Sequence, residues 1–201
     1  AYETIPEIRE EHKGIKMLGF HMSDLTNFHW RRGLKPVTSK ADLKGRVVMS
    51  NNKVSLEIIK RLGASPRLLD VNDMYMALQR KTIDGVLFPT GPLAAGFKLD
   101  EVTDNHTLVF MSNLTIAGGM NQAFYDKLPT DVQKVIDDMV PSWTRFAGAI
   151  VDNRRESTLR ALKERGDFIY TFTPEQREEL KKAVQPFYDD WKAKARAKGL
   201  D

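Results

Sequence analysis

Cysteine is absent from the 201-residue chain. Its absence excludes disulfides, zinc sites built on thiolates and cysteine nucleophiles. No apolar run approaches the roughly 20 residues that a membrane-spanning helix needs. The polar opening from Ala1 to Thr4 does not have the pattern of a signal peptide. The lack of cysteine fits a protein of the periplasm, but it does not identify the compartment, because many cytosolic proteins also lack cysteine.

The residue patterns of common catalytic centres are missing as well. No two of the four histidines are three or four residues apart, as metal ligands on one helix face would be; they are His12, His21, His29 and His106. The glycines form no phosphate-binding loop, and no serine lies in a Gly-x-Ser-x-Gly turn. The sequence therefore predicts no metal, no cofactor and no catalytic residues.

The charge is modest and well distributed. Charged residues make up 29% of the chain, and the net charge is +4. An excess of basic residues can indicate a nucleic-acid or membrane partner. Here basic and acidic residues are mixed, as in Arg9-Glu10-Glu11, and much of the excess lies in residues 192–198. Such runs are typical of a solvated helix face, and we expect no nucleic-acid partner.

Strand-like and helical patterns alternate between residues 46 and 88. In chain order, the apolar spacing predicts strands at 47–49, 66–71 and 83–88, with helices at 55–62 and 73–80 between them. This alternation predicts an α/β fold with a largely parallel sheet, in which strands 47–49 and 83–88 are close neighbours.

The flanking regions supply further strands and the longest helices. Strands are predicted at residues 15–20, 28–34 and 107–116. A helix begins at Pro129, is interrupted at Pro141 and continues over residues 143–165. The final helix begins behind a capping Thr173 and reaches about Lys198.

Several short motifs follow one another along the chain. They are Pro-Val-x-Ser-x-Ala-Asp-Leu-Lys-Gly at 36–45, Gly-Ala-Ser-Pro at 63–66, Asp-x-Tyr-x-Ala-Leu-Gln at 73–79, Ile-Asp-Gly at 83–85 and Tyr-Asp-Lys-Leu-Pro at 125–129. In this order and spacing the chain resembles the solute receptors of TRAP (tripartite ATP-independent periplasmic) transporters, the DctP-like family. The resemblance runs from about residue 10 to the C-terminus.

The resemblance implies a two-lobed fold like that of periplasmic binding proteins, with long C-terminal helices. Residues 27–113 would form the second lobe, and residues 1–26 with 114–150 would form the remainder of the first lobe. Residues 151–201 would be a helical segment that braces both. The family usually begins with further β-α units that this sequence does not contain, so we expect an incomplete first lobe.

The function implied by the resemblance is transport. A periplasmic receptor of this family captures a small organic molecule, commonly an organic acid, by hinge closure and delivers it to the TRAP membrane permease subunits. It is not an enzyme. If the chain is a fragment, apolar surface on residues 15–20 and 107–118 should be exposed and should favour a dimer or an exchange of segments.

The same resemblance indicates six ligand-binding candidates. The family arginine that pairs with the ligand carboxylate falls on Met49, and a neighbouring family asparagine falls on Phe88. The remaining candidates are His29 near an earlier family arginine, Arg31 on the same strand face as His29, Asn52 at a polar pocket position and Val71 at an aromatic one.

These replacements predict an atypical pocket. Methionine cannot pair with a carboxylate as arginine does, so we expect a more apolar or aromatic solute between Met49, Val71 and Phe88. Any polar end would be held by His29, Arg31 or Asn52. Met49 and Phe88 equally fit plain core positions, and His29 fits an ordinary surface or capping position.

The alternative function is a small-molecule enzyme on a similar α/β scaffold. It would need titratable groups that converge on the crevice. The sequence offers at best His29, Arg31 and Asp84, and no nucleophile accompanies them.

Overall fold

The computed structural model describes residues 5–199, in which regular structure extends from end to end. The helices are α1 Pro6–Glu11, α2 Lys53–Arg61, α3 Met74–Gln79, α4 Pro92–Ala95, α5 Gln122–Tyr125, α6 Thr130–Glu164 and α7 Pro174–Arg196. The strands are β1 Ile15–Met22, β2 Thr26–Arg31, β3 Val47–Ser50, β4 Ser65–Leu68, β5 Gly85–Pro89, β6 Thr103–Leu108, β7 Thr115–Asn121 and β8 Phe168–Thr171. Short 3₁₀ helices lie at Lys40–Leu43, Val71–Asp73 and Leu99–Glu101.

The chain divides into two compact units. The first contains the residues up to Asp24 together with Asn113–Asn153, and the second contains Leu25–Ser112 together with the residues from Arg154 onward. These units are defined by compactness alone, so the lobe boundaries implied by the sequence resemblance stay a prediction.

The first unit is built on the antiparallel pair β1–β7. Its register runs from Ile15 opposite Asn121 to Met22 opposite Thr115. The indole of Trp143, on α6, packs directly onto the glycines of both strands: a Cβ at Gly19 would lie 2.6 Å from it and a Cβ at Gly118 would lie 2.8 Å from it. A residue larger than glycine would clash with the indole, so glycine is required at both positions.

Pro141 does not interrupt the helix, and that prediction was wrong. Helix α6 is continuous from Thr130 to Glu164 with Pro141 inside it. Proline removes one backbone hydrogen bond and disfavours the helix by about 3 kcal/mol. Packing of Trp143, two residues further on, against Gly19 and Gly118 provides a tertiary contact that opposes this cost.

The second unit contains a six-stranded sheet in the order β4-β3-β5-β2-β6-β8. Strand β2 is antiparallel to both of its neighbours, while the β3–β4, β3–β5 and β6–β8 pairs are parallel. Val48 pairs with Gly85 and Met49 with Val86, which confirms that the predicted strands 47–49 and 83–88 are neighbours. The predicted α/β class is likewise confirmed.

Both faces of the central strands of this sheet are buried, whereas the edge strand β4 is exposed. Successive strand residues point to opposite faces, so Val48 and Leu87 join a core with α2 and α7, and Met49 and Val86 join another with α3 and α4. Helix α2 is the predicted 55–62 helix, and Gly63 follows it with φ +92°. Parallel strands with both faces covered read as apolar runs, which explains the short apolar segments of the sequence.

The strand predicted over residues 107–116 is two strands in different sheets, and that prediction was wrong. Strand β6 ends at Leu108 and β7 begins at Thr115. Between them Phe110 has a positive φ of 52°. The backbone N–H groups of Val109 and Phe110 donate to the side chain of Asn27, at 2.9 Å each. Asn27, on β2, therefore ends the backbone pairing of β6, although the composition of the segment favours β-structure.

Candidate functional site

The carboxyl ends of the parallel strands and the start of β2 share one edge of the six-stranded sheet. Asn27 organises this edge from a buried position. Its Oδ1 accepts the two N–H groups after β6, and its Nδ2 donates to Thr90 Oγ1 at 3.0 Å and to the Leu25 carbonyl at 3.1 Å. One amide thus joins β2, β5 and the turn after β6. Ligands of α/β proteins bind outside this kind of edge.

Two further polar residues lie at the end of β3, at the same edge: Ser50 is its last residue, and Asn52 follows it. The Ser50 hydroxyl is buried, and within residues 5–199 it has no hydrogen-bond partner. Asn52, a predicted site residue, caps α2: its Oδ1 accepts the Ser55 N–H at 2.8 Å. The family resemblance indicated Asn52 as a ligand-binding candidate but not Ser50, because an unpaired hydroxyl is recognised only from its surroundings.

Three predicted apolar residues meet in one cluster. Met49 and Phe88 belong to the core on the α3 side of the sheet, and Val71 packs against that core. The Met49 side chain is fully buried. The ring of Phe88 lies edge-on to that of Phe97, with centroids 5.3 Å apart. The structure therefore brings Met49, Val71 and Phe88 together, while their contact with a ligand stays a prediction.

His29 is buried against the same cluster, with both ring nitrogens in contact with protein atoms. Its Nε2 lies 3.1 Å from the Phe88 carbonyl, and its Nδ1 lies 2.9 Å from Nδ1 of His106. Burial is the main cause that lowers the pKa of His29, and the neighbouring His106 lowers it further. His106 in turn contacts Asp167, with Nε2 to Oδ2 at 2.9 Å.

Arg31 lies at the opposite edge of the sheet from Phe88 and Asn52. Because β2 is antiparallel, its last residues face the beginning of β5, and Arg31 Nη2 lies 3.4 Å from Asp84 Oδ1. The other carboxylate oxygen of Asp84 accepts the Val47 N–H at 2.9 Å. In the described part of the chain, Arg31 Nε is buried without a hydrogen-bond partner. Arg31 is thus not brought together with the other candidates.

Several residues of this region were not predicted, chiefly Asn27, His106 and Asp167. His29 and His106 are 77 positions apart, and they meet because β2 and β6 pair in register. Only a known register could have revealed them. In residues 5–199 no group of three or more His, Asp or Glu side chains is placed to hold a metal ion. The same residues contain no helix long and apolar enough to span a bilayer.

Comparison with known proteins identifies the family. Residues 6–194 match the family DctP, bacterial extracellular solute-binding protein, family 7. The C4-dicarboxylate-binding periplasmic protein DctP of Rhodobacter capsulatus is 28% identical over 188 residues, which are 90% of this chain and 54% of that protein. The chain thus spans about half the length of the curated relatives it matches.

Solved structures agree with this relationship. A TRAP solute-binding protein from an unidentified marine microbe, specific for aromatic acids and bound to 3-hydroxybenzoate, is 26% identical with a TM-score of 0.87; the match covers 100% of this chain and 62% of that one. A TRAP protein from Rhodoferax ferrireducens with copurified benzoate has the same TM-score and coverages at 23% identity, which shows the fold alone. Because the family match extends over nearly all of its residues, the chain belongs to the DctP family of bacterial extracellular solute-binding proteins.

Proposed function

We propose that the chain is part of a periplasmic receptor that captures a small organic solute and delivers it to a TRAP-type permease. The observation that carries this proposal is the family match over residues 6–194. The relatives whose names state a location are periplasmic binding proteins, among them those for C4-dicarboxylates and for 2,3-diketo-L-gulonate. The receptor performs no catalysis.

The surroundings of the candidate catalytic groups favour binding over an enzyme. Asp84 is held by Arg31 and by the Val47 N–H. Both nitrogens of His29 contact protein atoms. A general base needs access to a substrate proton, and the ring nitrogens of His29 and the carboxylate oxygens of Asp84 are all engaged by protein groups.

The proposed solute has an aromatic or otherwise apolar body. Met49 and Phe88 occupy the positions where the resemblance implies an arginine and an asparagine. A carboxylate brought against this cluster without a cation would lose several kcal/mol of hydration, so the apolar body of the solute, and not an acid group, would face Met49 and Phe88. The relative that is specific for aromatic acids supports an aromatic ring as the body. Simple dicarboxylates and sugar acids would not bind in the manner of the family.

The polar end of the solute has several proposed partners. Asn52 lies at the same edge as Phe88, and the unpaired Ser50 hydroxyl near it adds a group that can donate or accept. His29 and Arg31 stay proposed partners. His29 would have to exchange its contact with the Phe88 carbonyl or His106 for one with the solute, and Arg31 has a free Nε–H but lies at the other edge of the sheet. Replacement of each residue by alanine tests these roles separately.

A thermal-shift screen tests the solute class. A benzoate-type aromatic acid at about 100 times its dissociation constant should stabilise the protein by about 2.7 kcal/mol. Replacement of Phe88 by leucine should reduce this shift. The matched control is Met76→Leu, which changes an exposed residue of α3. A shift produced by C4-dicarboxylates but by no aromatic acid would contradict the proposed class.

We also propose that two copies of this chain associate, or exchange segments, through the β1–β7 sheet. Four exposed apolar residues, each 43–49% exposed, support this: Ile15, Met22, Leu114 and Ile116. Residues 107–109 of the surface predicted from the sequence are buried instead. A two-stranded sheet is marginally stable by itself. Light scattering should show a dimer that Ile116→Lys weakens, and a monomer at high concentration would contradict the proposal.

A further inference from the structure

The two buried histidines form a hydrogen-bonded pair whose outer contacts fix the positions of two protons. His29 Nε2 lies 3.1 Å from the Phe88 carbonyl, and a carbonyl oxygen only accepts, so Nε2 must carry a proton. His106 Nε2 lies 2.9 Å from Asp167 Oδ2, and an ionised carboxylate also only accepts. Both outer nitrogens are therefore donors.

Asp167 is ionised in this arrangement. Its side chain is 4% exposed and contacts both Arg165 and His106. Burial raises the pKa of Asp167, but the hydrogen bonds from Arg165 and His106 outweigh burial and hold the pKa below its ordinary value. Asp167 is thus an acceptor at neutral pH.

The inner contact requires a third proton. The two Nδ1 atoms are 2.9 Å apart, which is a hydrogen-bond distance. If both rings were neutral with their protons on Nε2, two lone pairs would face each other across this gap. We propose that the His29–His106 pair holds one proton more than two neutral imidazoles at neutral pH, and so carries one positive charge in the core of the second unit.

Two of the surrounding charges favour this state and one opposes it: Asp167 and Asp104 raise the pKa of His106, and Arg165 lowers it. Arg165 Nη1 lies 3.3 Å from Asp100 Oδ2, and Arg165 also contacts Asp167, so the three groups sum to one negative charge. The positive pair neutralises it. A buried charge persists when it is paired and hydrogen-bonded, and each ring of the pair makes two contacts.

Other charged groups near the pair do not change the sign of this surrounding charge. Asp104, two residues before His106, adds negative potential that raises the pKa of His106, while its own Oδ2 accepts the Gly33 N–H. Arg31 and Asp84 compensate each other beyond His29. The opposing influence is burial, which is the largest cause lowering the pKa of both imidazoles. The proposal is that the hydrogen bonds of the shared proton, together with Asp167, outweigh burial.

The two protonation states predict opposite pH dependences. In the unfolded chain each histidine has a pKa of about 6.5 and is neutral above about pH 7.5. If the folded pair keeps one proton there, the folding equilibrium constant falls about tenfold per pH unit until the pair deprotonates. If both folded rings are neutral, the unfolded state binds more protons below about pH 6.5, and stability instead rises with pH through that range.

Urea unfolding between pH 5 and 9 distinguishes the two states. The midpoint of the unmodified chain should fall above about pH 7.5, and the fall should be absent in His106→Gln, whose amide cannot hold the proton. The control is His12→Gln, because His12 is half-buried in the first unit; it should keep the fall. A midpoint that rises from pH 5 to 7 and is level above it, with this rise lost in His106→Gln, overturns the proposal.

A second measurement needs no variant of the pair. In the chain labelled with ¹⁵N-histidine, nitrogen NMR at pH 7.5 should show two rings that share a proton between their Nδ1 atoms, with both Nε2 atoms protonated. The signals of His12 and His21 are assigned by their loss from the spectra of the His12→Gln and His21→Gln variants, which leaves those of the pair. Spectra in which all four rings are neutral would overturn the proposal even if His106→Gln does not fold.

Discussion

Replacement of Asn27 by alanine should strongly lower the free energy of unfolding, although the side chain is small. Asn27 is 1% exposed, and its amide joins three segments of the second unit. The variant leaves the N–H groups of Val109 and Phe110 without their acceptor. An unsatisfied buried group costs about 1–3 kcal/mol, and relaxation of the turn with entry of water will recover part of this. We therefore expect a loss of about 2–4 kcal/mol in the free energy of unfolding.

Urea denaturation measures this loss, and Asn72→Ala is the matched control. Asn72 is an exposed asparagine in the same unit, and its side-chain amide donates to Asp70 Oδ1 at 2.8 Å. The control should change stability by less than about 0.5 kcal/mol. If Asn27→Ala costs no more than the control, Asn27 does not hold the edge of the sheet as described, and the explanation for the end of β6 fails with it.

Three other substitutions have defined outcomes in the same denaturation assay. Gly85→Ala should cost about 1–3 kcal/mol, because its Cβ would lie 2.5 Å from Trp30; an unchanged midpoint would contradict this packing. Asp42→Ala should cost about 1 kcal/mol at pH 7. Hydrogen bonds, first that from the Ser39 hydroxyl, lower the pKa of Asp42, so its contribution should vanish as the pH falls through that pKa, and a pH-independent difference would refute the assignment. Thr173→Ala should also cost about 1 kcal/mol, since Thr173 caps α7, and it should leave α2 intact by hydrogen exchange.

Much of the fold was predictable because its central sheet is built from local patterns. The apolar strands around Val48 and Val86 alternate with amphipathic helices, and that order predicts parallel neighbours. The wrong predictions lie where contacts with residues distant in sequence determine the local structure. Asn27 ends β6 from 82 positions away, at Val109. Trp143 rests on two glycines beside a helix that contains Pro141. Neither contact is visible in a local window of sequence.

The candidate site was predictable in part for the same reason. Met49 follows the motif at residues 36–45 and Phe88 follows the Ile-Asp-Gly motif at 83–85, and the structure joins them in one core cluster. Arg31 shares a strand with His29, but the antiparallel direction of β2 carries it to the far edge. The sequence does not reveal strand direction at β2. The contacts of His29 with His106 depend on that direction and on the β2–β6 register.

Calorimetric titration of the protein with 3-hydroxybenzoate and with a C4-dicarboxylate tests the central claim most directly. We expect heat of binding with the aromatic acid and none with the dicarboxylate. Met49→Arg should weaken the first and can admit the second, provided that circular dichroism shows a folded variant, because Met49 is fully buried. Tight binding of the dicarboxylate by the unmodified protein, left intact by Arg31→Ala, would contradict the proposed pocket.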